Sequence, residues 1–120
     1  MLIKDRRLQN ALLHAMADEQ SRRILTATSS RPRSAMDLIR EEELPSSSAY
    51  RRIHDLEKDG LLGVARTVLT ADGKKYQMYK AAFREVNVSF QGGEVVITAV
   101  PNMDVVQRTF RLFQSFQEEI

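Results

Sequence analysis

No cysteine occurs among the 120 residues. That absence removes disulfide scaffolds, zinc ribbons, thiolate metal sensors and catalytic thiols together, because each needs a sulfur ligand or nucleophile. Long apolar runs are missing too. Nothing approaches the roughly 18 residues that a membrane-crossing helix requires, and no charged-then-apolar signal segment opens the sequence. The expectation is a cytoplasmic protein with no membrane partner. Charge of one sign is scarce, since 18 Lys and Arg face 16 Asp and Glu for a net of +2. So small an excess permits nucleic-acid binding without requiring it. Internal repeats are absent, and the one biased tract is the short Ser/Thr-rich stretch 26–34. What is present is an ordinary globular balance, 42% hydrophobic and 28% charged, in a length that suits one domain.

The first half has helical periodicity. Leu8, Ala11, Leu12, Ala15 and Met16 recur at helical spacing and predict a first helix over about 5–16. Asp18 is placed to cap a second helix that carries Ile24, Leu25 and Thr28. Ser34 and Asp37 have the spacing of a capping box, which opens a short third helix pointing Leu38 and Ile39 inward. Leu44-Pro45 forces a break. A fourth helix follows over about 46–59 with Ala49, Ile53 and Leu56 as its inner stripe, and Gly60 suits its left-handed end. The period then changes to two. Segments 61–69 and 75–80 read as strands joined by Asp72-Gly73, and Val86, Val88 and Phe90 alternate with polar residues before Gly92-Gly93 turns into a further strand. Pro101 ends that strand, Asn102 is a candidate cap, and a terminal helix is expected over about 103–119.

This order predicts an α+β fold: a winged helix-turn-helix over residues 1–84, and over 85–120 an additional β-hairpin and terminal α-helix, a dimerisation extension of the same domain. A helix-turn-helix needs a second helix that is apolar inside and polar at its outer N-terminal face. The outer positions here are Ser46, Ser47, Ser48, Tyr50, Arg51, Arg52 and His54. Serine hydroxyls and free helix-start N–H groups bind phosphate, while arginine forks onto guanine in the major groove.

With the upstream segment Ala15-Met16-Ala17-Asp18, Arg22 and Ile24-Leu25, and with Leu56-Glu57-Lys58-Asp59-Gly60-Leu61 downstream, the chain resembles ArsR-like winged-helix transcriptional regulators, especially archaeal ones. The resemblance covers residues 8–80. It implies a sequence-specific regulator of transcription, more often a repressor, and the expected partners are double-stranded DNA, a second copy of the chain in a homodimer, and the transcription machinery. The metal site that names the family is not carried over, because its cysteines are missing and the terminal segment has no histidine. No metal and no cofactor are expected. Glu42 also departs from the pattern, standing where the first motif helix often has an apolar residue.

Each candidate has a plainer alternative. Arg51 and Arg52 are read as DNA contacts over a merely solvated face, with Arg52 turned about 100° from Arg51 toward the backbone or an acidic neighbour. Tyr50 is either a base contact or a helix-packing residue. For His54 the choices are phosphate contact and plain exposure, and His14 is read as structural. Arg66, Lys74 and Lys75 bracket the first hairpin, either as guards against edge pairing or as a wing on the flanking DNA; the wing is favoured. Arg31 and Arg33 precede the motif as backbone contacts. An enzyme is not expected. Ser47, His54 and Asp55 cannot form a nucleophilic triad, because seven residues of helix separate Ser47 from His54 by about 10 Å.

The terminal segment carries Val106, Phe110, Phe113, Phe116 and Ile120, more apolar surface than its own small core needs, and with Leu8 and Leu12 of the first helix it is expected to form a two-fold dimer interface. A small apolar effector pocket beside it has no convergent polar groups to mark it. The rival function is a protein-interaction or assembly module on the same winged-helix scaffold. Charge favours DNA: residues 1–84 hold 16 Lys and Arg against 11 Asp and Glu, whereas residues 85–120 hold 2 against 5.

Overall fold

The computed structural model describes residues 1–102. The expected terminal helix, and with it Val106, Phe110, Phe113, Phe116 and Ile120, lies outside the described residues. The order of elements is β1 (Leu2–Ile3), α1 (Arg6–Ala17), α2 (Glu19–Thr28), β2 (Arg33–Ser34), α3 (Ala35–Glu41), α4 (Ser46–Lys58), β3 (Leu62–Leu69), β4 (Lys75–Ala81), β5 (Phe83–Gln91) and β6 (Glu94–Pro101). The chain is therefore mixed α+β, with four helices and two three-stranded antiparallel sheets among the described residues, ordered β2-β4-β3 and β1-β6-β5.

Local chemistry sets the helix boundaries. Asp5 starts α1 by accepting the Leu8 N–H at 2.9 Å. Asp18 ends α1, its own N–H bonding the Ala15 carbonyl, and starts α2 by accepting from the Ser21 N–H at 2.9 Å. One residue thus makes the corner between two helices. The Ser34–Asp37 capping box forms in both directions, at 3.1 and 3.2 Å. The Ser34 N–H bond, with help from the Ser34 hydroxyl and from Arg40, holds the Asp37 carboxyl below its ordinary pKa.

Helices α3 and α4 end alike. Leu44 N–H reaches back to the Ile39 carbonyl at 3.1 Å, and Leu61 N–H to the Leu56 carbonyl at 2.9 Å, each after one residue in the left-handed region. After α4 that residue is Gly60 (φ 80°), whereas after α3 it is Glu43 (φ 53°). A side chain in that region costs about 1–2 kcal/mol that glycine avoids, partly offset by glycine's greater unfolded-state entropy. Glu43→Gly is therefore expected to raise unfolding stability by up to about 1 kcal/mol, read as a higher urea midpoint at unchanged slope.

One apolar cluster joins all the layers. Ile24, Leu38, Ala49, Ile53 and Leu56 from α2–α4 meet Leu8 and Leu12 of α1, and the cluster continues into Phe83, Ile97 and Ala99 of the second sheet. Strand β1 lies on β6, pairing Ile3 with Ile97, and the Met1 ammonium donates to the Ala99 carbonyl at 2.7 Å. This arrangement corrects one expectation. Leu8 and Leu12 are not an intersubunit surface, because the second sheet closes over α1 and leaves them 3% and 1% exposed inside their own protomer. Asn102 then fastens the two sheets to α2. Its N–H bonds the Ala82 carbonyl at 2.8 Å, and its amide donates to the Ser29 carbonyl at 3.0 Å and the Ala81 carbonyl at 2.9 Å.

Candidate nucleic-acid interface

Helix α4 buries Ala49, Ile53 and Leu56 and leaves the opposite side to solvent. Successive turns of 3.6 residues bring Ser47, Arg51, His54 and Lys58 onto that outer side, all exposed, with Tyr50 at its flank. Pro45 occupies the cap position and supplies no side-chain cap, so the first-turn N–H groups at Ser46, Ser47 and Ser48 have no capping acceptor. They add partial positive charge to a serine-lined helix start.

Three expected contact residues are turned toward the protein. Arg52 clamps Asp18 with two bonds, Nε to Oδ2 at 2.6 Å and Nη2 to Oδ1 at 3.0 Å. It thus takes the acidic-neighbour alternative. That clamp, with the Ser21 hydroxyl and N–H, drives the Asp18 carboxyl well below the usual carboxylate range, and Asp18 in turn raises the Arg52 pKa. Ser48 points at α2, its hydroxyl donating to Gln20 Oε1 at 3.0 Å. Arg33 is half-buried and paired with Glu41. Glu42, the departure from the family pattern, lies beside Arg23 at 3.6 Å. Loss of the Ser48 bond in Ser48→Ala is expected to cost about 0.5–1.5 kcal/mol of stability, read in a urea melt.

The other expected residues stay exposed: Ser46, Ser47, Tyr50, Arg51, His54, Arg31, Arg66, Lys74 and Lys75. Among the described residues, no carboxylate forms an ion pair with Arg31, Arg51, Arg66, Lys74 or Lys75. The β3–β4 hairpin turns through Thr70 to Lys74, with Gly73 at φ 84° and Gly73 N–H bonding the Thr70 carbonyl at 3.0 Å. The Lys74 N–H is also caught by the Thr70 hydroxyl at 3.0 Å, which fixes the loop that carries Lys74 and leads into Lys75 at the start of β4. Beyond it the pleat divides the basic residues. Thr67 pairs with Gln77 and Leu69 with Lys75, so Lys75 faces one side of the hairpin and Arg66, paired with Met78, the other.

A groove runs between α4 and this hairpin, lined by Ser34, Met36, Tyr50, Thr67, Lys75, Gln77 and Tyr79. Tyr50 Oη lies 3.6 Å from Met36 Sδ, and Tyr79 Oη donates to Gln77 Oε1 at 2.9 Å. Burial, with Glu57 nearby, raises the Tyr79 pKa and keeps it a neutral donor. Arg51 lies on the other flank of α4, in a hollow shared with His14, Asp18, Asp55 and Asp59, so acidic groups temper its surroundings. His14 is exposed there and is not a packing residue.

Sequence reasoning passed over Lys58, which its spacing of seven from Arg51 already placed on the outer face. It also passed over Met36, 61% exposed at the groove mouth. Among the described residues no cluster of His, Asp and Glu has the makings of a metal site, and no helix is long and apolar enough to cross a membrane. No family model matches the chain, and no curated protein matches it.

Proposed function

We propose that the chain is a sequence-specific DNA-binding transcriptional regulator built on a winged helix-turn-helix and acting as a homodimer. In this reading α3 and α4 are the helix-turn-helix, α4 enters the major groove, and the β3–β4 hairpin is the wing on the flanking backbone. The succession of α2, β2, α3, α4, β3 and β4, with β2 paired to the second hairpin strand, supports it. So does the resemblance to ArsR-like regulators, which favours repression. The observation that carries it is the outer face of α4: exposed Ser47, Tyr50, Arg51, His54 and Lys58 at an uncapped helix start, on a helix whose inner face is fully used by the core.

Regulation in this reading is by occupancy. Backbone contacts from the helix start, Arg31 and the hairpin lysines set the register, and Arg51 and Tyr50 read base edges. A protein-interaction module is the weaker alternative, because its helix face is expected to be apolar and this one is polar.

The test is fluorescence anisotropy with a random duplex pool and with duplexes selected from it, at several salt concentrations. Expected are tighter binding to selected duplexes and a log-affinity that falls linearly with log salt, losing about 0.9 in slope for each phosphate contact. Absence of binding at low salt sinks the proposal.

A further inference from the structure

We infer that the outer edge of β5 is the seam of a two-fold homodimer, in which each copy adds its β5 to the other's second sheet. The inference rests on the homodimer part of the reading above and gives it a defined surface.

The β1-β6-β5 order leaves β5 with a neighbour on one side only among the described residues. An open edge of nine residues is a template for another strand unless it is guarded. Its charges, Arg84 and Glu85, and its irregularity stand at its start, and the stretch Val86 to Gln91 carries no charge and no proline. Strand β3, an edge of the other sheet, carries Arg66 and an irregularity after Val64. The apolar cover of the second sheet also stops partway along β5, reaching Phe83 and Val86 but not its far end. Ile97 on β6 is 0% exposed, yet Val88 directly across from it is 45% exposed and Phe90 is 75% exposed.

The register follows from the backbone. Gly92 and Gly93, both at positive φ, form a two-residue turn flanked by the pair Gln91 and Glu94. The flanking pair of such a hairpin is hydrogen-bonded, so pairs alternate from there and Val86, Val88 and Phe90 aim their N–H and C=O groups outward. The ladder is irregular between Phe83 and Glu85, so the regular stretch is 85–91, centred on Val88.

An antiparallel two-fold at Val88 matches every outward group. Val88 meets the partner's Val88 and Val86 meets the partner's Phe90. Glu85 faces the partner's Gln91, and Asn87 faces the partner's Ser89. No like charges oppose each other, and the apolar residues fall on one face. Val86 also lines a groove with Leu12, Met16, Leu25 and Phe83, so the partner's Phe90, opposite Val86, is brought to the rim of that groove.

Two measurements on the full chain test this. In light scattering the wild type is expected at twice the chain mass, and Val88→Lys at the chain mass. Mixing Val88→Lys with Val88→Glu is expected to restore the dimer, because position 88 faces itself. Independently, the chain has no cysteine of its own, so oxidised mixtures of Asn87→Cys and Ser89→Cys chains are expected to yield a disulfide-linked dimer that neither variant forms alone. Adjacent non-hydrogen-bonded positions come within disulfide reach. A wild-type dimer that Val88→Lys leaves intact, with no cross-link in the mixture, overturns the β5 seam and leaves the homodimer standing on the terminal segment. A monomeric wild type overturns both.

Discussion

Arg51→Ala is expected to weaken binding to a selected duplex by roughly 5- to 150-fold while leaving the thermal midpoint unchanged. The range corresponds to the 1–3 kcal/mol by which a forked arginine–guanine contact discriminates against the wrong base. Arg51 is exposed and pairs with no carboxylate among the described residues, so its removal leaves no buried group unsatisfied. Its position on the outer side of α4, four residues beyond Ser47, is where a helix that uses its N-terminal half for base contact places its reader. The measurement is anisotropy on the selected duplex and on a random pool. A base reader loses more on the selected duplex, and specificity relaxes at one position of the site. Lys58→Ala serves as the contrast: a phosphate contact weakens both duplexes alike and lowers the salt slope by about 1. Equal losses for Arg51→Ala on both duplexes make Arg51 a backbone contact and pass base reading to Tyr50.

What the sequence disclosed is what lies within one turn or one hairpin. The stripe Ala49, Ile53 and Leu56 is spaced by helical geometry, the Ser34–Asp37 box spans three residues, and Asp72-Gly73 dictates its own turn, so each is as expected. Three polar assignments were set instead by distant partners. Arg52 lies 34 residues from Asp18 and Ser48 lies 28 from Gln20, and no periodicity in α4 announces a carboxylate or an amide on α2 and its cap. Arg33 and Glu41 are nearer in sequence but meet from opposite ends of the β2–α3 segment, at a spacing that no helical stripe announces. Strand β1 was illegible for another reason: Leu2 and Ile3 are too few to show alternation. Its consequence was large. Without β1 and the second sheet over α1, the stripe Leu8–Leu12 looks like free apolar surface available to a partner. The alternation of Val86, Val88 and Phe90 was plain, but only the fold shows that cover reaches Val86 and not Phe90.

Asp18→Ala is expected to cost about 2–3 kcal/mol of unfolding stability and to flatten the acid limb of the stability curve. Asp18 does two jobs at the corner of α1 and α2. As the α2 cap it accepts from the Ser21 N–H at 2.9 Å and hydroxyl at 2.7 Å, and loss of such a cap costs about 1 kcal/mol. As the partner of Arg52 it ties α4 to that corner, and a hydrogen bond to a charged group adds about 1.5–3 kcal/mol. The Asp18 side chain is 35% exposed and that of Arg52 22%, so solvent screening keeps the second contribution near the low end. The pH dependence follows in sign. Arg52, then the Ser21 hydroxyl and N–H, depress the folded-state pKa of Asp18 below its unfolded value of about 3.9. The contribution is therefore complete above the unfolded pKa and is lost as pH falls from there toward the depressed folded value. Urea melts between about pH 6 and pH 2 check both parts. The wild type is expected to lose stability more steeply below about pH 4 than Asp18→Asn, which retains part of the cap but has no proton to bind. Equal acid limbs in the two proteins place the linkage on another carboxylate. Arg52→Ala is expected to share the loss of stability and leave base preference unchanged, which separates the arginine that holds α4 from Arg51, which faces away from the core.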